Sequence, residues 1–150
     1  MVLKSMKKKS VLFLIFTVML PSISWGGVAD GKSIICHCIN CSLTTEERGW
    51  AFLDGKVTYV FPSTYKDEVT IKEENWGSYW SDENTIGWTH EGMGRVLDRS
   101  TLIITDTYSN PNETSRCEIF QSRSEFKKEW ETIRIRIQSG YDLKLKNNKI

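Results

Sequence analysis

The sequence predicts a mainly β fold: a single antiparallel meander of about eight short strands, closing into a barrel or half-barrel, with an amphipathic helix at the C-terminus. Three observations carry this expectation. Asp54-Gly55 sits between two apolar and aromatic runs, and such a pair, tolerant of positive φ, marks a tight hairpin. Short runs rich in β-branched and aromatic residues recur at regular spacing from residue 33 to residue 121, separated by turn residues, as in small barrels. Phe126, Trp130, Ile133 and Ile137 fall at spacings of four, three and four, which lines up one apolar face of a helix. A sandwich of two sheets is the alternative.

Residues 33–39 form the first strand candidate. Residues 49–53 and 56–61 flank the Asp54-Gly55 turn. Val57, Tyr59 and Phe61 alternate with Thr58, which gives one buried face, and Pro62 ends that strand because it cannot donate to a ladder. Residues 68–73 read as an edge strand with charges facing water. Residues 77–80 and 85–90 follow, separated by Ser81-Asp82-Glu83-Asn84. Gly92 and Gly94 flank Met93 at the next turn. Residues 95–98 and 101–108 pair around Arg99-Ser100, and Asn110-Pro111-Asn112 is a turn. Residues 116–121 complete the sheet, with Cys117 and Ile119 on one face and Arg116 and Glu118 on the other.

The helix is expected over residues 123–138. Ser122 with Glu125 three residues on forms a capping box, and Gly140 fits the position just past the helix end. Lys127, Lys128, Glu131 and Arg134 face outward or flank the stripe. The helix is expected to plug or cover the barrel, with a partner-binding or membrane-surface helix as the alternative. Glu129 and Glu131 weaken the membrane version. Residues 141–150 are expected as a mobile basic tail.

The N-terminus has the three zones of a secretory leader. Lys4, Lys7, Lys8 and Lys9 precede an apolar run from Val11 to Leu20, interrupted by Thr17 alone. Pro21 and the small residues Ser22, Ser24, Gly26 and Gly27 follow. This is the order of a cleavable signal peptide. Ser24 and Gly26 fit the small positions before the cut, so residues 1–26 are the expected leader and residues 27–140 one domain. The apolar run is near half of the about 20 residues that a spanning helix needs, so no stable membrane anchor is expected after cleavage. Cys36 follows Ile34-Ile35 rather than small residues, which argues against a lipid anchor. The expected location is periplasmic or secreted. Losing the leader removes four lysines and no acid. Lys plus Arg falls from 20 to 16 against 19 Asp plus Glu, and the net charge moves from +1 to −3. A mildly acidic domain has no field to attract nucleic acid.

Export would place Cys36, Cys38, Cys41 and Cys117 in an oxidising compartment, where an even count reads as disulfides. Cys36 and Cys38 share a face of a strand, and next-but-one partners there are poorly placed for a bond. The expected pairing is one long bridge, Cys36 to Cys117, and one local bridge, Cys38 to Cys41. Two other uses compete. A metal site could draw on Cys36, His37, Cys38, Cys41 and Cys117, although the spacing lacks paired zinc knuckles. A redox pair could use Cys38-Ile39-Asn40-Cys41, although such pairs sit at a helix N-terminus that lowers the thiol pKa. Ser42 stands where covalent haem attachment needs histidine.

No constellation specifies a reaction. His90 and Glu91 are neighbours, but adjacent strand residues point to opposite faces. There is no nucleophile elbow and no phosphate-binding glycine loop, so neither a catalytic residue nor a cofactor is expected. The aromatic side chains are numerous for a small β domain, and most are expected in the core. Trp76 and Trp80, in a Gly/Ser-rich stretch, are the candidate ligand-facing aromatics. They would line a barrel cavity or an exposed face for an apolar small molecule or a glycan.

Ile35-Cys36-His37-Cys38, the run from Arg95 to Leu102, Arg116-Cys117-Glu118 and the Asn148-Lys149-Ile150 end together resemble a loose group of small uncharacterised exported bacterial proteins. The resemblance covers most of the chain after the leader. It implies the same β-meander with a C-terminal helix, and it transfers no activity and no functional residue.

Overall fold

Alternation of inward and outward side chains shapes the sheet. In the computed structural model, which describes residues 29–39, 47–107 and 114–147, the elements are β1 (Ser33–Cys38), β2 (Arg48–Leu53), β3 (Lys56–Tyr65), β4 (Glu68–Ser81), β5 (Thr85–His90), β6 (Met93–Asp98), β7 (Ile103–Asp106), β8 (Thr114–Phe120) and α1 (Arg123–Asn147). Each strand pairs antiparallel with the next, and β8 returns to β1 to close the barrel. Closure removes the open edges that a flat meander would expose. The expected leader, the Cys41 end of the local bridge, the Asn110-Pro111-Asn112 turn and the last three residues lie outside the described residues.

One face of each strand fills the barrel. Ile34, Cys36, Trp50, Phe52, Val57, Tyr79, Ile86, Trp88, Leu97, Ile104 and Cys117 pack there, as expected where eight strands leave room for little more than side chains. The outer face is buried only on one side. There α1 lays Phe126, Trp130 and Ile133 on Ile35, Ala51 and Val60. Ser33 to Cys36 are therefore buried four in a row, because β1 has the barrel interior on one side and the helix on the other. The helix covers the barrel from outside and does not plug it.

The Asp54-Gly55 turn has φ of 51° and 71°, the paired positive values of a two-residue hairpin. Lys66-Asp67 and Glu91-Gly92 repeat it. Pro62 does not end β3, which runs on to Tyr65. Leu53 and Lys56 flank the turn as a hydrogen-bonded pair, so alternate residues from Lys56 aim N–H at β2. That pairing stops at Gly49–Val60, so no described strand needs a donor from Pro62 on that side. The two strands expected between residues 68 and 80 are one, β4, bent at a bulge opposite Val57 and Thr58.

The Cys36–Cys117 disulfide forms as expected, across the β1–β8 seam, with Cα atoms 3.9 Å apart. The N–H of Cys117 donates to the Leu102 carbonyl at 2.8 Å. Its backbone polar groups thus face β7, and its pairing with Cys36 is the non-hydrogen-bonded kind in which side chains approach most closely. The bridge locks the first strand to the last.

The cap on α1 also forms: Ser122 Oγ accepts the Glu125 N–H at 3.2 Å. The helix does not stop at residue 138, and residues 141–147 are helical rather than a tail. Gln138 explains much of this. Its Oε1 accepts the Val69 N–H at 2.8 Å, and its Nε2 donates to the Asp67 carbonyl at 2.9 Å and to Asp142 at 3.0 Å. The last bond spans Gly140 by one turn and offsets the roughly 1 kcal/mol that glycine costs inside a helix. Ion pairs of Arg123 with Glu73, at 2.6 Å, and of Arg136 with Glu47 fasten the helix to the barrel. Among the described residues no helix is long and apolar enough to cross a membrane.

Candidate functional site

Trp50, Phe52 and Trp88 form an aromatic layer across the barrel, with Trp88 5.4 Å from each of the others between ring centroids. Above it, at the end where β1 begins, the barrel opens into a cavity of about 310 Å³. Its walls are the apolar side chains Ile34, Phe52, Ile86 and Leu97. Its rim carries Lys32, Glu83, Asn84, Arg99 and Ser100, with Leu102 and Ile119 between them. Ile119 is 40% exposed, an apolar side chain in water at the lip of an apolar cup.

Local chemistry fixes this rim. Asp82 Oδ1 accepts the N–H groups of Asn84 and Thr85 at 2.8 and 2.7 Å. Arg99 Nη1 donates to the carbonyls of Asp82 and Glu83 at 2.8 and 3.1 Å, tying the β4–β5 turn to the β6–β7 turn. Asp98 Oδ1 accepts the Ser100 N–H at 2.8 Å, the Ser100 hydroxyl at 2.6 Å and the Thr101 N–H at 2.9 Å. These donors favour the carboxylate and hold the Asp98 pKa at about 2. The segment before β1 adds a collar. Gly31 N–H donates to the Phe52 carbonyl at 2.8 Å, and Phe52 N–H donates to Lys32 at 3.0 Å. Asp30 accepts the Tyr79 hydroxyl and, at 3.1 Å, the Gly55 N–H. Burial first, and then the Asp30 carboxylate, push the Tyr79 pKa well above the usual phenol range. Ala29 is buried against the mouth. A cup held in this way is formed before a ligand arrives, which lowers the ordering cost of binding.

Trp76 and Trp80 do not share a surface. Gly77, at φ +93°, follows Trp76 in the β4 bulge, and the bulge turns the two indoles to opposite faces. Trp76 is inside the barrel, stacked on His90 at 4.7 Å with 2° between the planes. Trp80 is outside and 50% exposed. It lies across Gly87, where an added Cβ would come within 2.2 Å of the ring. Neither lines the cavity. The residues that do, Ile34, Phe52, Ile86, Leu97 and Ile119, carried an alternation signal in the sequence but nothing to say which barrel end opens.

The disulfide consumes two of the four cysteines proposed as metal ligands or redox thiols. Cys38, the last residue of β1, is disulfide-bonded as well, and its expected partner, Cys41, lies outside the described residues. Cys38 ends a strand, and residues 40–46 after it lie outside the described residues. His37 points outward, 3.8 Å from Glu47. Among the described residues no three His, Cys, Asp or Glu side chains come together as a metal site. No protein-family profile, curated protein or solved structure matches this chain, so its functional reading rests on the barrel itself.

Proposed function

We propose that this protein is an exported binding domain, periplasmic or secreted, which holds one small apolar molecule with a polar end in the barrel mouth. The observation that carries the reading is the cup itself: apolar walls, an exposed apolar residue at the lip, and a rim of charged and hydroxyl groups. Small-molecule sites commonly combine apolar walls with a few fixed polar groups. At about 310 Å³ the cup sits at the small end of such sites, of roughly 300–1,000 Å³, and suits a short-chain or single-ring molecule. The Cys36–Cys117 bridge supports the location, because disulfides persist in oxidising compartments.

Fluorescence titration tests this. Phe52 forms part of the wall and packs on Trp88, so occupancy of the cup should change tryptophan emission. Apolar probes from a lipid set are expected to saturate this change one to one. Ile119→Arg, a rim substitution with little folding cost, should weaken binding about tenfold or more by placing a charge over apolar surface. Unchanged affinity in that variant would remove the mouth as the site. Glycans are the second arm, because Trp80, half exposed on the outer face, offers an indole that a sugar ring could stack on. Saturation by a glycan, lost in Trp80→Ala, would move the function to that outer face.

A further inference from the structure

The three charged residues that line the mouth are held differently. Lys32 and Arg99 are half-buried, whereas Glu83 is exposed. Among the described residues neither cation has an ion pair, and the Lys32 ammonium has no hydrogen-bond partner either. Arg99 Nη1 is held by the carbonyls of Asp82 and Glu83, which fixes that guanidinium at the rim. The other acids near the rim do not line the cup. Asp82 accepts two turn N–H groups and the Thr85 hydroxyl, and its charge acts on Arg99. Asp98 accepts two turn N–H groups and the Ser100 hydroxyl. Asp30 accepts the Tyr79 hydroxyl and the Gly55 N–H. Half-buried charges are screened less than exposed ones. Lys32 is therefore the cation at the lip that is left without a counter-ion. The walls below it are aliphatic. Phe52 is the one ring among the lining residues, beside Ile34, Ile86, Leu97, Leu102 and Ile119. The opposite end of the barrel is filled instead. There Arg95, 7% exposed, packs over Trp76 and Trp50, 4.9 and 5.7 Å from their centroids, with Asp106 at 3.7 Å.

We propose that the mouth takes an aliphatic monocarboxylate of intermediate chain length, with its tail in the cup and its carboxylate on Lys32. The assignment rests on the cup being a ligand site, as proposed above, and names the class of ligand. A carboxylate that entered the apolar walls would lose hydration that nothing there replaces, so the head stays at the lip. Lys32 gives it a charge-assisted hydrogen bond, about twice as strong as a neutral one. Arg99 adds positive charge from the other side of Leu102 and Ile119, and the Asn84 amide stands beside it as a neutral donor. An ammonium head would meet two cations and one acid on the lining. A dianion would bring a second negative charge toward Glu83. The tail follows from the walls. A flat ring would find a single ring to stack on, whereas branched aliphatic side chains pack a flexible chain. The layer of Trp50, Phe52 and Trp88 closes the floor and sets how far the tail reaches.

Octanoate, octanamide and octylammonium test the inference, because they share a chain and differ in the charge of the head. The readout is the methyl resonances of Ile86 and Leu97 in carbon–proton NMR spectra of the folded, oxidised protein. Octanoate is expected to shift them saturably. Octanamide should bind at least about tenfold more weakly, as for loss of a charge-assisted hydrogen bond, and octylammonium more weakly still. Lys32→Gln should bring octanoate down to the affinity of octanamide and leave octanamide unchanged. Glu83→Gln, at an exposed position, should strengthen octanoate about twofold, and it serves if Lys32→Gln does not fold. Octanamide also tests the cup by itself, because no rim charge draws a neutral head, and Ile119→Arg should weaken it. The carboxylate assignment is overturned, with the cup left standing, if octanamide binds as tightly as octanoate or if neither charge substitution changes their ratio. If none of the three molecules shifts these methyl groups, the cup and the assignment fall together.

Discussion

Two glycines show how single residues set this barrel, and they predict different costs. An added Cβ at Gly49 would come within 2.8 Å of the Trp130 ring and 3.1 Å of Phe126. Both rings are buried under α1 and cannot retreat. Gly49→Ala is therefore expected to destabilise by roughly 1–3 kcal/mol, as overpacking does, measured by urea unfolding. Gly87→Ala meets Trp80 even more closely, but that ring is half exposed and can swing into water, so the loss should be well below that of Gly49→Ala. Equal losses would show that Trp80 is held as firmly as Trp130. Asp98 predicts a pH effect. Its folded pKa of about 2 lies below its ordinary value, so its contribution to stability is fully present above the ordinary carboxylate range. That contribution is lost as pH falls through about 2. Carboxyl NMR titration should show the low value in the wild type and a return toward normal in Ser100→Ala. At this scale the sequence was legible in part. Ser122 and Asp54-Gly55 announced a cap and a turn through their own chemistry. The faces of Trp76 and Trp80 were not legible. An unbroken strand would put residues four apart on one face, and only the bulge before Gly77 separates them.

Elements were legible where their signals are local. The apolar stripe of α1 and the alternation of β3 follow from periodicity alone. Element ends were misread wherever a distant partner decides them. Pro62 and Gly140 are local stop signals, overridden by the end of β2 pairing and by the Gln138 bonds. The stripe predicts how α1 contributes. Trp130→Ala should cost about 3–5 kcal/mol, as for deletion of a large buried aromatic, while far-UV circular dichroism keeps its β signal. A loss under about 1 kcal/mol would mean that the helix merely rests on the barrel. The seam bridge carries a prediction of its own. Its cysteines are 81 residues apart, and closing so long a loop stabilises by about 4–5 kcal/mol through the unfolded chain. Cys36→Ala with Cys117→Ala should lower stability by an amount of that order. A variant as stable as the wild type would show that strand pairing closes the barrel without help.

For the molecule as a whole, the number of strands and their meander order follow from turns spaced along the chain. Closure does not, because it rests on the pairing of β1 with β8 and on alternation that a sandwich would share. The two barrel ends were equally hidden. Arg95, Asp106 and the rim residues come together only when the sheet curls, so no spacing in the sequence marks them. The resulting barrel has an apolar cup with a fixed rim at one end, an aromatic layer in the middle and a buried guanidinium at the other. The proposed function turns on occupancy of the cup. Native mass spectrometry of the oxidised domain, mixed with apolar small molecules and with glycans, tests it most directly. A one-to-one complex with an apolar molecule is expected, and it should be lost in Ile119→Arg. Bare protein with every apolar probe, or a complex untouched by that substitution, would contradict it.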